Sequence, residues 1–235
     1  MIINKNITFN PDNHTYFNEK NEQLISTTTI IKLYTPKFDE TGQILQKCAA
    51  RDGVSPEDLR KEWDKKRDDA ATKGTKFHKD IEVFIQTGKI RTKKTEDLVR
   101  EFAKIKFKGK LQSETIIGSN KFGIAGTIDI IEDLGKNFIS IHDIKTNTKK
   151  PNNSSYFDSR LLYPVDHLKN SKINIYSLQL SIYSLILEEE YGCFVKDLNL
   201  LYVDFEKRKI TPIPVNYLRE DALKMVRHYL SMKEW

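Results

Sequence analysis

Apolar residues recur with a period of two in some stretches of the chain and of about 3.6 in others, and this alternation lays out its elements. The opening ITFNPDNHTYFNEKNEQLIS alternates short β-like runs with Asn and Asp turns. It predicts a small hairpin that leads through Ser26, Thr27, Thr28 and Thr29 into a helical IIKLY. Helical spacing then dominates. Ser55-Pro56-Glu57-Asp58 sets an N-cap before a first-turn proline and two acids, opening a helix past Trp63 toward Ala71. Gly74-Thr75 begins or continues a helix through KFHKDIEVFIQTG, with Phe77, Ile81, Phe84 and Ile85 on one apolar stripe. A third helix is predicted over TEDLVREFAKIKF.

The period then falls to two. LQSETIIGS, FGIAGTIDII and FISIHDIKT read as a three-stranded meander, and residues 133–137 carry the turn chemistry of a hairpin. A polar connection over residues 146–173 is too long for a simple link and is expected to face a substrate. Beyond it a helix is predicted over NIYSLQLSIYSLILEEEYG, ended by Gly192. LNLLYVDF and KITPIPV supply later strands, and YLREDALKMVRHYLSMKEW a closing helix. The whole reads as α/β, a mixed central sheet flanked by helices, and 235 residues fit one domain. Within it, residues 1–35 form the hairpin and leading helix, 36–110 a helical basic region, 111–215 the sheet core and 216–235 the closing helix.

Two strands of the meander carry an aspartate where a sheet tolerates one least. Asp129 and Asp143 are equidistant from Lys136, so a hairpin folded about that residue sets them face to face. Opposed Cβ atoms lie roughly 4.5–5.5 Å apart, and like charges there repel. Ile139, Ile141, Asp143 and Lys145 share one strand face, which begins as core and ends as charge. Converging carboxylates beside an ammonium suit a hard divalent cation. The plain alternative is a solvent-facing acid pair bridged by Lys145. Without metal the acids are expected to repel, so that Asp129→Asn would raise stability.

Composition narrows the setting. With 38% hydrophobic and 31% charged residues and no long apolar run, the chain reads as soluble. Its first residues lack the apolar core of a signal peptide, so a cytoplasmic, non-secreted protein is expected. Cys48 and Cys193 stand far apart, outside any zinc-site or iron–sulfur spacing. Residues 60–110 hold 17 Lys and Arg against 9 Asp and Glu, a larger excess than the +6 of the whole chain. There Lys104, Lys106 and Lys108, interleaved with Phe102 and Phe107, fit a phosphate backbone or simply a solvated helix face.

GTKFHKDIE, GTID, DIK and QLSIY, in that order, resemble the motifs of PD-(D/E)XK nucleases of the RecB-like branch, over roughly residues 20–205. LISTTTII and YPVDHLKNSKINIYSLQLSIYSLILEE resemble exonucleases of the mitochondrial genome-maintenance type and their phage relatives. The resemblance implies a restriction-endonuclease-like core and Mg²⁺ or Mn²⁺ held by Asp129 and Asp143. It implies that Lys145 orients or helps deprotonate the attacking water, that His78 is a further metal ligand, and that Glu114 is a ligand or its support. Gln179 and Tyr183, one helical turn apart, would contact DNA or support Lys145. The implied substrate is DNA, single-stranded or with free ends, in repair, recombination or replication. Glu82, one turn from His78, is read as a ligand, a support or a surface pair. Ser26 and Thr28 could hold a phosphate at a helix N-terminus or only cap it. The two cysteines depart from relatives that carry an iron–sulfur cluster, so no cluster is expected. Competing readings are a non-catalytic DNA-binding scaffold, an endonuclease on duplex or branched DNA, and an enzyme acting on RNA.

Overall fold

A computed structural model describes residues 7–37, 42–155 and 158–233. The extreme ends of the predicted N-terminal segment and closing helix, and short pieces of the helical region and the long connection, lie outside the described residues. In chain order come β1 (Thr8–Asn10), β2 (Thr15–Phe17), β3 (Gln23–Ser26), α1 (Thr27–Leu33), α2 (Gln43–Asp52), α3 (Pro56–Thr87) and α4 (Glu96–Ala103). They are followed by β4 (Lys110–Ser119), β5 (Ile124–Gly135), β6 (Phe138–Lys145), α5 (Lys172–Tyr191), β7 (Phe194–Asp204), β8 (Lys209–Val215) and α6 (Arg219–Lys233). The architecture is mixed α/β, with an eight-stranded mixed sheet.

β5 organises that sheet. β4 runs antiparallel along the whole of one edge, from Ser119↔Ile124 to Lys110↔Asp133. The opposite edge is shared. β3 takes its start in parallel, Ile25↔Ile124 and Ser26↔Ala125, and β6 takes its end antiparallel, from Ile130↔His142 onward. Residues 126–129, the GTID stretch, lie between these two partners and pair with neither. From β6 the sheet continues through a parallel β7 to the antiparallel margin strand β8, which carries Pro212 and Pro214.

The meander and its register follow the sequence pattern. Pairs from Asp133↔Ile139 to Ile130↔His142 are all centred on Lys136. Lys136 and Asn137 make the turn with φ of 52° and 64°, the mirror-image conformation that matches strand twist, and a bulge near Asp133 absorbs the extra residue. At Gly74-Thr75 the helix continues rather than begins: Pro56–Thr87 is one 32-residue helix, capped by Ser55 and closed by Gly88 at φ 69°. Gly74 does not break it. A Cβ there would sit 2.7 Å from Thr146 Oγ1, so the glycine permits close approach of the segment after β6.

Two apolar clusters sandwich the sheet. One joins Ile124, Ile128, Ile139 and Ile141 to α1, α5 and α6; the other joins Ile130, Ile144 and Leu201 to α3 and α4. α5 is buried from Ser177 to Leu187 except at Gln179, because it lies between the sheet, α1 and α6. α4 ends at Ala103, earlier than its apolar spacing predicts. Phe102 and Phe107 pack into the second cluster and so are not available to interleave with nucleic-acid bases. Among the described residues, no helix is long and apolar enough to cross a membrane.

Candidate metal centre

The site begins where a ladder stops. Beyond Ile130↔His142, β6 leaves β5 and follows β7 alone, pairing Asp143 with Leu200, Ile144 with Leu201 and Lys145 with Tyr202. Asp129 is the β5 residue at this fork. Its Oδ2 accepts the Ile144 N–H at 2.7 Å, so a side chain takes up a backbone donor that the interrupted ladder would leave unpaired. The apolar period also breaks here: Ile128 packs on the α5 side and Ile130 on the α3 side, although they are only two residues apart.

Glu114 lies opposite Asp129 on β4, between the pairs Ser113↔Ile130 and Thr115↔Ile128, and its φ is +48°. A left-handed non-glycine residue costs about 1–2 kcal/mol. Glu114→Gly is therefore expected to exceed Glu114→Ala in stability by about 1 kcal/mol, reversing the usual order within strands. Urea melts of both variants in EDTA measure this, and an Ala variant as stable as the Gly variant would refute the strain.

α3 delivers the third group. His78 Nδ1 stands 3.5 Å from Asp129 Oδ1 and 3.8 Å from Glu114 Oε1. His78, Glu114 and Asp129 each offer one ligand atom, all within 4.8 Å of one another. Two carboxylates and an imidazole at that spacing can hold a divalent cation. Burial works against the imidazolium, but Asp129 and Glu114 outweigh it and push His78 up to about 10. Burial would likewise raise Asp129, yet His78, Lys145 and the Ile144 N–H hold it below the usual carboxylate range.

Asp143 carries the opposite load. It is 3% exposed, and burial pushes its carboxyl up to about 6 despite the neighbouring Lys145. Lys145 Nζ is 2.6 Å from Asp143 Oδ2 but off the direction of a hydrogen bond, so this buried oxygen has charge compensation and no aligned donor. The charge is divided otherwise than two equally repelling acids would suggest: His78 and Lys145 compensate Asp129, while burial outweighs Lys145 at Asp143, so neutralising Asp143 rather than Asp129 is the change expected to stabilise the protein.

Lys145 is enclosed by α5. Its Nζ donates to Gln179 Oε1 at 3.4 Å, and Gln179 Nε2 donates to Tyr183 Oη at 3.2 Å. Tyr183 is 3% exposed and lies against Gly126, so of its two expected roles the burial leaves support of Lys145 through Gln179 and not contact with DNA. Burial keeps its phenol neutral. Tyr176, one turn before Gln179, presents its ring to Lys145 Nζ at 4.3 Å from the centroid. Sequence reasoning missed it, although the spacing Tyr176, Gln179, Tyr183 marks one helical face. It also missed Tyr16, whose hydroxyl reaches Thr127 at 3.0 Å from the N-terminal hairpin.

Other candidates have structural partners. Ser26 Oγ caps α1 by accepting from Thr29 N and contacts the Thr28 hydroxyl; with only seven residues, α1 ends close to its cap. Glu82 accepts from Lys79 and Gln86 along its own helix, the surface pair among its three readings. Lys104 pairs with Glu101. Lys104, Lys106 and Lys108 sit on the connection into β4, which enters the sheet at Lys110↔Asp133, four residues along β5 from Asp129. That is roughly 13 Å at strand rise, so the structure does not bring these lysines to the carboxylates.

No protein-family model matches the chain, and no curated protein matches it. Among solved structures it is similar in part to the crystal structure of a "Putative exonuclease" from Eubacterium rectale, with 14% identity and a TM-score of 0.40. The match covers 60% of this chain and 51% of that one, so the chain spans about half of that structure's length.

Proposed function

We propose that the chain is a metal-dependent deoxyribonuclease with a PD-(D/E)XK core, acting as an exonuclease on single-stranded or free-ended DNA. The observation that carries this reading is the fork between β5 and β6, where backbone pairing is given up and His78, Glu114 and Asp129 converge beside Asp143 and Lys145. A binding scaffold would gain nothing from a strained glutamate and a buried aspartate lacking an aligned donor.

The donor set fits Mg²⁺ or Mn²⁺: hard carboxylate oxygens from Glu114 and Asp129 and one imidazole from His78, while Asp143, the ligand the family resemblance implies, stands beside that group and not within it. When bound, such an ion polarises a phosphoryl oxygen and lowers the pKa of a coordinated water. Lys145 supplies charge. Burial disfavours its ammonium, but Asp143 and Asp129 outweigh that and keep it protonated. It therefore places a cation where negative charge develops on the phosphate. Gln179 holds Lys145 through its carbonyl and anchors itself on Tyr183. Lys73 and Lys76, exposed on the helix that delivers His78, offer cations to the backbone of an approaching strand.

The test incubates labelled single- and double-stranded DNA, with free or blocked ends, and an RNA strand, with Mg²⁺, Mn²⁺ or EDTA. Metal-dependent shortening of free-ended single strands is expected. Lys145→Ala should slow it about a hundredfold or more while DNA binding in EDTA changes little. Equal binding by wild type and variant with no cutting under any metal would establish the scaffold instead. Equal cutting of blocked substrates would establish an endonuclease, and preference for the RNA strand a ribonuclease.

A further inference from the structure

We propose that Tyr176 is a positioning residue that holds the Lys145 ammonium against its ring face and so aims it at the reacting phosphate. This rests on the reading of Lys145 as the charge donor of a nuclease site. The geometry is specific. An ammonium has three N–H donors. Asp143 Oδ2 lies 2.6 Å from the nitrogen as an ion pair outside hydrogen-bond alignment, and one N–H reaches Gln179 Oε1 at a long 3.4 Å. Gln179 is the one aligned acceptor of the ammonium among the described residues, and the Tyr176 ring lies on that ammonium with its centroid 4.3 Å away. A cation this close to an aromatic face is well within the attractive range.

The ring is itself fixed. Tyr176 Oη donates to Asn147 Oδ1 at 3.0 Å, and Asn147 lies two residues beyond Lys145 on the same chain segment. The lysine, its aromatic support and the group that orients the support thus form a closed loop between the end of β6 and the first turns of α5. Tyr176 also packs at the margin of the α5-side core, so its ring cannot swing freely. A lysine has four rotatable carbons between backbone and charge. The ion pair with Asp143 sets a distance but not a direction, and Gln179 at 3.4 Å is too weak to select one arrangement by itself.

The experiment compares Tyr176→Phe, Tyr176→Leu and wild type in two independent measurements. In NMR spectra of lysine-labelled, metal-free protein, the Lys145 ε-methylene, identified by its absence in Lys145→Arg, should resonate upfield of other lysines because of the ring above it. Phe should keep that shift and Leu should lose it. In cleavage assays with Mg²⁺, Leu should lower kcat about tenfold with KM within twofold of wild type, while Phe stays close to wild type. An ordinary Lys145 resonance in wild type, or equal kcat for Leu and wild type, overturns the proposal. If the shift behaves as expected and wild type cuts nothing, the nuclease reading has failed while the Tyr176–Lys145 contact stands. The catalytic aim of that contact falls with the reading.

Discussion

In EDTA near neutral pH, Asp143→Asn is expected to melt above the wild type and Asp129→Asn below it, although both remove one carboxylate charge from the same fork. Burial raises the Asp143 carboxyl from 3.8 to about 6. At 1.36 kcal/mol per unit, its ionisation costs the fold on the order of 2–3 kcal/mol. For a chain of this size that corresponds to roughly 5–10 °C. The pH dependence has a definite sign. Between about 4 and 6 the folded protein holds a proton at Asp143 that the unfolded chain has released, so wild-type stability at this group falls as pH rises. The advantage of Asp143→Asn should therefore be absent below pH 4, grow through that window and level off above about 6. Asp129 behaves oppositely, because its charge is stabilised by His78, Lys145 and the Ile144 N–H, and its removal leaves His78 with less compensation. Saturating Mn²⁺ should then raise the wild type above both variants, since only the complete set binds the ion well. Variants that shift in the same direction in EDTA would show that the two acids share one environment.

Gly126→Ala is expected to damage stability and activity together. A Cβ at residue 126 would lie 2.5 Å from Tyr183 Cε1 and 3.2 Å from Thr27 Oγ1. Neither neighbour moves easily. The Tyr183 ring is in the core with its hydroxyl tied to Gln179, and Thr27 is buried, with its hydroxyl on the Ala125 carbonyl. Overpacking of this kind costs about 1–3 kcal/mol. A shift of α5 would also carry Gln179 and Tyr176 away from Lys145, and displacements approaching 1 Å at a catalytic group cost up to about a hundredfold in rate. Tyr183→Leu makes room for the new methyl, so the double variant should be more stable than the sum of the two singles by about 1 kcal/mol. Chemical denaturation of the four proteins measures this coupling, and additivity within about 0.5 kcal/mol would show that Gly126 is not held small by Tyr183.

Much of this arrangement could be read from the chain because it depends on local rules. Turn chemistry at residues 133–137 and the period of two placed the hairpin and its register, and Ser55 and Gly192 marked helix ends by capping. The site was legible where motif residues sit on rigid elements: His78 on α3, Asp129 on β5 and Lys145 on β6. What escaped depends on contacts distant in sequence. Alternation says that Asp129 and Asp143 face each other but not that β6 departs with β7, so the division of charge between them was invisible. The buried state of Tyr183 follows from α1 and α6 covering α5, which no periodicity within α5 reveals. Gly74 looked like a possible helix boundary because nothing local announces that Thr146 will need its space.

The prolines of β8 decide how copies of this protein meet. Facing β7, the strand bonds through alternate residues, which turns the backbone nitrogens of Ile210, Pro212 and Pro214 outward. Two of those three nitrogens carry no hydrogen. A strand from another molecule approaching this margin would find most of its docking rungs missing. The β8 margin is in this way guarded against edge-to-edge pairing, even at concentrations where an open strand would seed fibres.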